Sequence, residues 1–101
     1  MKYQIVFRER ASREYLDSLF WYKARSAEVA GNFVKAIDEA LERICANPAR
    51  CRNTYKNFHE AAVQKFPFSI VYFIDEVESN IVIISIFHFK RNPVKKFADN
   101  D

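Results

Sequence analysis

From Val29 to Ile44 apolar residues recur at three- and four-residue spacing, and after Asn47-Pro48 that period is lost. Val29, Ala30, Phe33, Val34, Ile37, Ala40, Leu41 and Ile44 trace one stripe along a helix, and such a stripe needs a second apolar layer to cover it. Pro48 stops the helix, because its ring removes an N–H and crowds the preceding turn. Beyond it, Phe68 to Ile74 and Ile81 to Phe87 are rich in β-branched and aromatic residues, the composition of strands. A helical stretch followed by strands in one short chain sets the class as α+β.

The N-terminal segment fits the same scheme. Lys2 to Arg8 puts Tyr3, Ile5 and Phe7 on alternate positions, the pattern of a first strand. Ser12 is a candidate N-cap for a helix beginning just after it, and Tyr15, Leu16, Leu19, Phe20 and Lys23 mark one helical face ending near Arg25. Ser26 offers a second N-cap, with Glu28 where the positive end of the helix dipole favours a carboxylate. Helices joined this tightly form an antiparallel hairpin. Cys51 to Phe58 reads as a weak edge strand and Ala61 to Phe66 as a short strand leading into Pro67. The polar stretch Asp75 to Asn80 joins the last two strands. The order is β-α-α-β-β-β, a mainly antiparallel sheet with the helical hairpin packed on one face. Ile81, Ile83 and Phe87 alternate with Val82, Ile84 and Ile86, so the last strand is apolar on both faces, where one solvated face would give cleaner alternation. Curling of the strands around a second small core is the expectation, and a partner covering the far face is the alternative.

With 101 residues, half of them hydrophobic, the chain makes one domain over residues 1–101. One Gly and three Pro leave little material for linkers. No run approaches the roughly 20 apolar residues of a membrane span, and the N-terminus lacks a signal pattern, so the expected location is the cytoplasm with no membrane contact. Cys45 and Cys51 have no neighbouring Cys or His pair to complete a zinc site. No metal and no cofactor are expected, and the thiols read as packing groups, with a reversible disulfide as the alternative. A net charge of +3 and a pI near 9.0 permit a nucleic-acid or acidic-protein partner without requiring one. Arg50, Arg52 and Lys56 form one basic cluster, and Lys90, Arg91, Lys95 and Lys96 another. For any single member, solvated surface charge is the plain reading.

Four further pieces stand in a fixed order. Trp21-Tyr22 closes the first helix, and Ala30, Phe33, Ala36, Ile37 and Leu41 run through the second to Ile44-Cys45-Ala46-Asn47-Pro48. Phe66-Pro67-Phe68-Ser69-Ile70-Val71-Tyr72 follows, then His88-Phe89-Lys90-Arg91-Asn92-Pro93. In that joint order the chain resembles the ParE-like branch of the RelE/ParE toxin superfamily, whose matching motifs are Phe-Pro-Tyr-x-Ile-x-Tyr and His-x-x-Arg-x-Pro. Each motif alone also has a structural reading: the aromatic pair and the stripe as core, Phe66-Pro67 as a strand entry, His88 as a packed strand end and Arg91 as a turn residue.

The resemblance implies the toxin of a type II toxin–antitoxin pair, causing growth arrest, neutralised by a cognate antitoxin and oligomeric only through that complex. Two mechanisms come with the superfamily. RelE-like members cleave mRNA on the ribosome by attack of a 2′-hydroxyl on the adjacent phosphate, which needs a base, cations and an acid. ParE-like members inhibit DNA gyrase by binding and need none of these. His88 stands where some ribonuclease members carry a base. Phe89, however, replaces the tyrosine that would follow, and Ser69 replaces a phosphate-binding arginine whose fixed charge a serine cannot supply. His59-Glu60-Ala61-Ala62 stands where basic residues are usual, leaving Lys65.

The expectation is therefore a non-enzymatic toxin that binds DNA gyrase. A ribosome-dependent mRNA endonuclease using Arg52, Lys56 and His88 is the alternative, and a non-toxic, antitoxin-binding remnant is a third reading. Target contact is assigned to His88, Phe89, Lys90, Arg91, Lys95, Lys96 and Phe97, with Arg50, Arg52 and Lys56, because cations around aromatic anchors steer and then desolvate a docking surface. Antitoxin contact is assigned to Trp21, Tyr22, Phe33 and Ile37, on a helical hairpin suited to a segment that folds on binding.

Overall fold

The computed structural model describes residues 3–55 and 57–90, apart from the side chains at positions 52, 54 and 55. β1 (Gln4–Phe7) runs almost directly into α1 (Glu9–Arg25), and α2 (Ala27–Ala46) follows after a single residue. A 3-10 turn at Pro48–Arg50 leads to β2 (Arg52–Tyr55), β3 (Phe58–Ala62), β4 (Phe68–Asp75) and β5 (Asn80–His88). The sheet order is β1-β5-β4-β3-β2, antiparallel except where β1 lies parallel to β5. The α+β class and the helical hairpin are as the sequence implied. Four strands follow the helices, as many as the segments read in the sequence and one more than the order β-α-α-β-β-β counts; the first two lie at Arg52–Tyr55 and Phe58–Ala62 rather than Cys51 to Phe58 and Ala61 to Phe66. Residues 63–67 form a turn, not a strand: Val63 N–H donates to the Phe68 carbonyl at 3.0 Å, and Lys65 at φ 71° bends the chain through the left-handed region.

Helix α1 begins three residues before Ser12. Its N-cap is Arg8, without a side-chain cap, and Ser12 N–H already donates to the Arg8 carbonyl at 3.0 Å inside the first turn. Glu9 in the first turn, with Lys23 and Arg25 in the last, complements the helix dipole. The buried face also differs from the expected stripe. Ala11 and Ser18 are buried and Tyr15, Leu19 and Tyr22 half-buried, whereas Leu16 and Phe20 are 46% and 59% exposed. The small Ala11 and Ser18 let the helix approach the sheet closely. At about 100° per residue, Leu16 and Phe20 then fall on the opposite side of the helix.

Ser26 serves both helices. Its N–H donates to the Tyr22 carbonyl at 2.8 Å, closing α1, and its Oγ accepts the Val29 N–H at 3.2 Å, opening α2. The buried side chains of α2 are Ala30, Phe33, Ile37, Ala40 and Ile44, a narrower stripe than the sequence suggested, since Val29 is exposed. Phe33, Ile37, Ala40 and Ile44 meet Phe68, Ile70, Tyr72, Ile81, Ile83 and Ile86 of the sheet in the main core. Burying a side chain such as Phe33 or Ile37 contributes about 1.5–3 kcal/mol each.

The double-sided apolar strands have their explanation on the other face, where Phe58, Val71 and Ile84, with Phe73 against them, form a second small core. A bulge sets this up. Val71 pairs with Ser85 and Tyr72 with Ile83, so Ile84 is the extra residue, and Ile83 and Ile86 can both face the helices while Ile84 turns away.

Candidate macromolecule-binding site

The Phe66-Pro67-Phe68 segment is a joint between sheet and helices. Phe66 packs edge-on to Tyr22 at 5.4 Å and to Phe33 at 5.5 Å, and Phe68 lies 5.2 Å from Phe33. The Pro67 carbonyl accepts the Phe89 N–H at 3.1 Å, which ties this turn to the end of β5. Of the four proposed antitoxin contacts, Phe33 and Ile37 are 0% and 1% exposed and form the centre of the core. They cannot touch a partner, because the stripe that marked them faces the sheet. Tyr22 is half-buried, stacked into the same cluster, and only Trp21 stands open, at 46% exposed, with the Arg25 guanidinium 3.7 Å above its ring. Beside it the sequence missed Leu16 and Phe20, having placed both on the inner face.

His88 and Ser69 do not converge. Phe68 pairs with His88 and Ser69 with Phe87. Cross-strand partners share a face, so His88 lies on the helix side, its ring edge-on to Phe68 at 4.9 Å, while Ser69 lies on the other. Ser69 is buried as well. Sequence motifs gave both residues but not the register that separates them.

The described members of the two basic clusters, Arg50 and Arg52 in one and Lys90 in the other, lie toward one end of the sheet at different edges. Arg52 in β2 pairs with Glu60, Glu60 with Val71 and Val71 with Ser85, so Arg52 is three strand spacings, roughly 14 Å, from β5. Arg50 is exposed in the 3-10 turn, and Phe89 (44%) and Lys90 are exposed beyond β5. Lys56, Arg91, Lys95, Lys96 and Phe97 lie outside the described residues.

Two polar arrangements hold this end together. Tyr72, fully buried, donates its hydroxyl to the Pro48 carbonyl at 2.6 Å, and the His59 ring stacks on it at 5.3 Å. His59 Nδ1 lies 2.9 Å from the Cys51 carbonyl, which can only accept, so that nitrogen carries the proton. Burial pushes the Cys45 thiol above its usual range, which keeps it protonated. Both cysteines are free thiols, and no three His, Cys, Asp or Glu side chains among the described residues are grouped to hold a metal. The second arrangement is Glu14, which the sequence reading passed over. Its Oε1 accepts from Ser85 Oγ at 2.7 Å and from the Ile86 N–H at 2.9 Å, and its Oε2 meets Arg10 Nε at 3.2 Å. A carboxylate from α1 thereby satisfies the bulged edge of β5. The signals were Ser85 inside an apolar run and Glu14 beside the helix's inner face.

The family model described as the ParE toxin of type II toxin–antitoxin system, parDE, matches residues 5–93. Among solved structures, the chromosomal ParDE system from P. aeruginosa superposes with a TM-score of 0.69 at 18% identity, covering 84% of this chain and 94% of that one. E. coli toxin RelE in the free state, as a mutant, gives 0.62 at 16%, covering 93% and 90%. The RelBE2 toxin–antitoxin complex from Mycobacterium tuberculosis gives 0.59 at 16%, covering 87% and 99%. No curated protein matches the chain in sequence. No helix among the described residues is long and apolar enough to cross a membrane.

Proposed function

Given that the chain belongs to the ParE toxin family of type II toxin–antitoxin systems, we propose that it arrests growth by binding DNA gyrase in the cytoplasm and that a cognate antitoxin neutralises it. The observation that carries the binding reading over RNA cleavage is the separation of His88 from Ser69 across the two faces of the sheet. Cleavage by a 2′-hydroxyl requires base, cation and acid around one phosphate. Here the histidine turns toward α1, away from the face that holds Ser69, and Phe89 brings no hydroxyl.

The docking surface for the target runs from the end of β5 through the C-terminal segment. Phe89 and Lys90 are its exposed start, and Arg91, Lys95, Lys96 and Phe97 continue it, with Arg50, Arg52 and Lys56 as a second basic contact. The antitoxin covers the outer side of α1, where Leu16, Phe20 and Trp21 leave large apolar surface in water. The related ParDE and RelBE toxins are found with antitoxins in the solved complexes.

Inducing the chain alone and together with the small reading frame beside its gene, while scoring growth and mapping RNA ends, tests the proposal. Arrest that the neighbouring product relieves, without new RNA ends, is the expected result. New ends within translated mRNA that vanish in His88→Ala would replace the gyrase reading with the nuclease one, and growth unaffected by the chain would leave only the antitoxin-binding remnant.

A further inference from the structure

β1 ends at Phe7, opposite Ile83, so among the described residues β5 has no neighbouring strand on that side from Ile84 onward. α1 passes along this open edge and leaves a groove of about 300 Å³ whose walls include Glu14, Asp17, Ser18, Trp21, Phe68 and His88. Its polar groups are unequal. Glu14 is engaged on both oxygens, by Ser85 and Ile86 on one and Arg10 on the other. Asp17 is exposed and has no ion pair among the described residues. Ser18 is only 7% exposed and lines the groove, so its hydroxyl is within reach of a group that enters there.

We propose that this groove receives one arginine side chain of the neutralising protein partner. Asp17 supplies the opposing charge and Ser18 Oγ a second acceptor, while the exposed Trp21 indole bounds the planar guanidinium. A point-like ammonium makes poorer use of such a setting than a flat group with several donors, which pairs with a carboxylate and lies against aromatic rings. Trp21 already carries one guanidinium, that of Arg25. Leu16 and Phe20, exposed further round α1, take apolar side chains of the same segment. The inference rests on the reading that a protein partner docks on α1, and adds the chemistry it must bring.

The test titrates the isotope-labelled chain with N-acetyl-arginine methylamide, using the uncharged isostere N-acetyl-citrulline methylamide as control. The arginine probe is expected to shift the amides of Asp17, Ser18, Ile86 and His88 and the Trp21 indole, with a Kd on the order of 1–10 mM. Citrulline, or the arginine probe on Asp17→Asn, is expected to bind about tenfold more weakly, and Ser18→Ala about threefold. Asp17 is exposed, so its variant keeps the fold. Absent or scattered shifts, or equal binding of both probes, would overturn the pocket. With the intact antitoxin, undiminished affinity of Asp17→Asn also overturns it while leaving the partner reading intact. Failure of the unaltered chain to bind that protein sinks the partner reading itself.

Discussion

Replacing Tyr72 by Phe removes one hydroxyl from a fully buried core side chain and cuts the 2.6 Å hydrogen bond that fastens the Pro48 carbonyl to β4. Pro48 is buried too, so water does not take over the lost partner. The cost is that of a lost bond plus an unsatisfied acceptor, about 1–3 kcal/mol. In urea, with a slope of roughly 1–2 kcal/mol per molar, the unfolding midpoint falls by about 1 M. The pH dependence is the sharper signature. Burial, followed by the hydrogen bond and charge proximity of Cys51, raises the Tyr72 phenol well above its ordinary 10.0. The folded protein therefore keeps a proton that the unfolded chain releases above about pH 10. Stability from this group is complete below that pH and declines by about 1.4 kcal/mol per unit above it, because the unfolded state then binds fewer protons. The Phe variant has no such decline, so the stability gap between the two proteins narrows as pH rises. The Tyr15 phenol, also raised by burial and by Asp38, titrates in both and cancels in the difference. Urea unfolding followed by circular dichroism from about pH 7 to about pH 10.5 measures it. A gap that stays constant across that range, or no gap at neutral pH, would refute the reasoning.

Ile37→Ala should destabilise the chain by about 2–5 kcal/mol in the same unfolding assay, while antitoxin affinity of the folded fraction stays unchanged. Phe20→Ser should do the reverse: stability within about 0.5 kcal/mol of the parent, and antitoxin affinity by calorimetry at least about tenfold weaker. Glu14→Ala strips the acceptor from Ser85 and Ile86 and is expected to cost about 1.5–3 kcal/mol, with faster hydrogen exchange at the Ile86 amide. Truncation after Arg91 should leave the circular dichroism spectrum intact and abolish growth arrest; full toxicity from the folded truncation would shift target contact to Arg50, Arg52 and Lys56.

The helices and long strands were legible because their periods are set by burial against one layer: Ala30, Phe33, Ile37, Ala40 and Ile44 follow it without a break. Where a small residue does the packing, hydrophobicity misleads. Ala11 and Ser18 face the sheet, and the bulkier Leu16 and Phe20, which the sequence put inside, face water. The same error placed Phe33 and Ile37 at a partner surface, since an apolar stripe looks alike whether it meets a sheet or another protein. Register was beyond reach for a different reason. The bulge at Ile84 arises from pairing between strands, and so does the assignment of His88 and Ser69 to opposite faces. Neither is encoded in the local composition of either strand. The double-sided apolar strands were legible, and the second core of Phe58, Val71, Ile84 and Phe73 answers the question they raised.

The most direct test of a toxin that acts by binding is DNA supercoiling by purified gyrase with this chain added in increasing amounts. The account predicts that supercoiling is inhibited, that preincubation with the antitoxin restores it, and that ribosome-bound mRNA incubated with the same preparation stays uncut. Unimpaired supercoiling together with cleaved mRNA would contradict it.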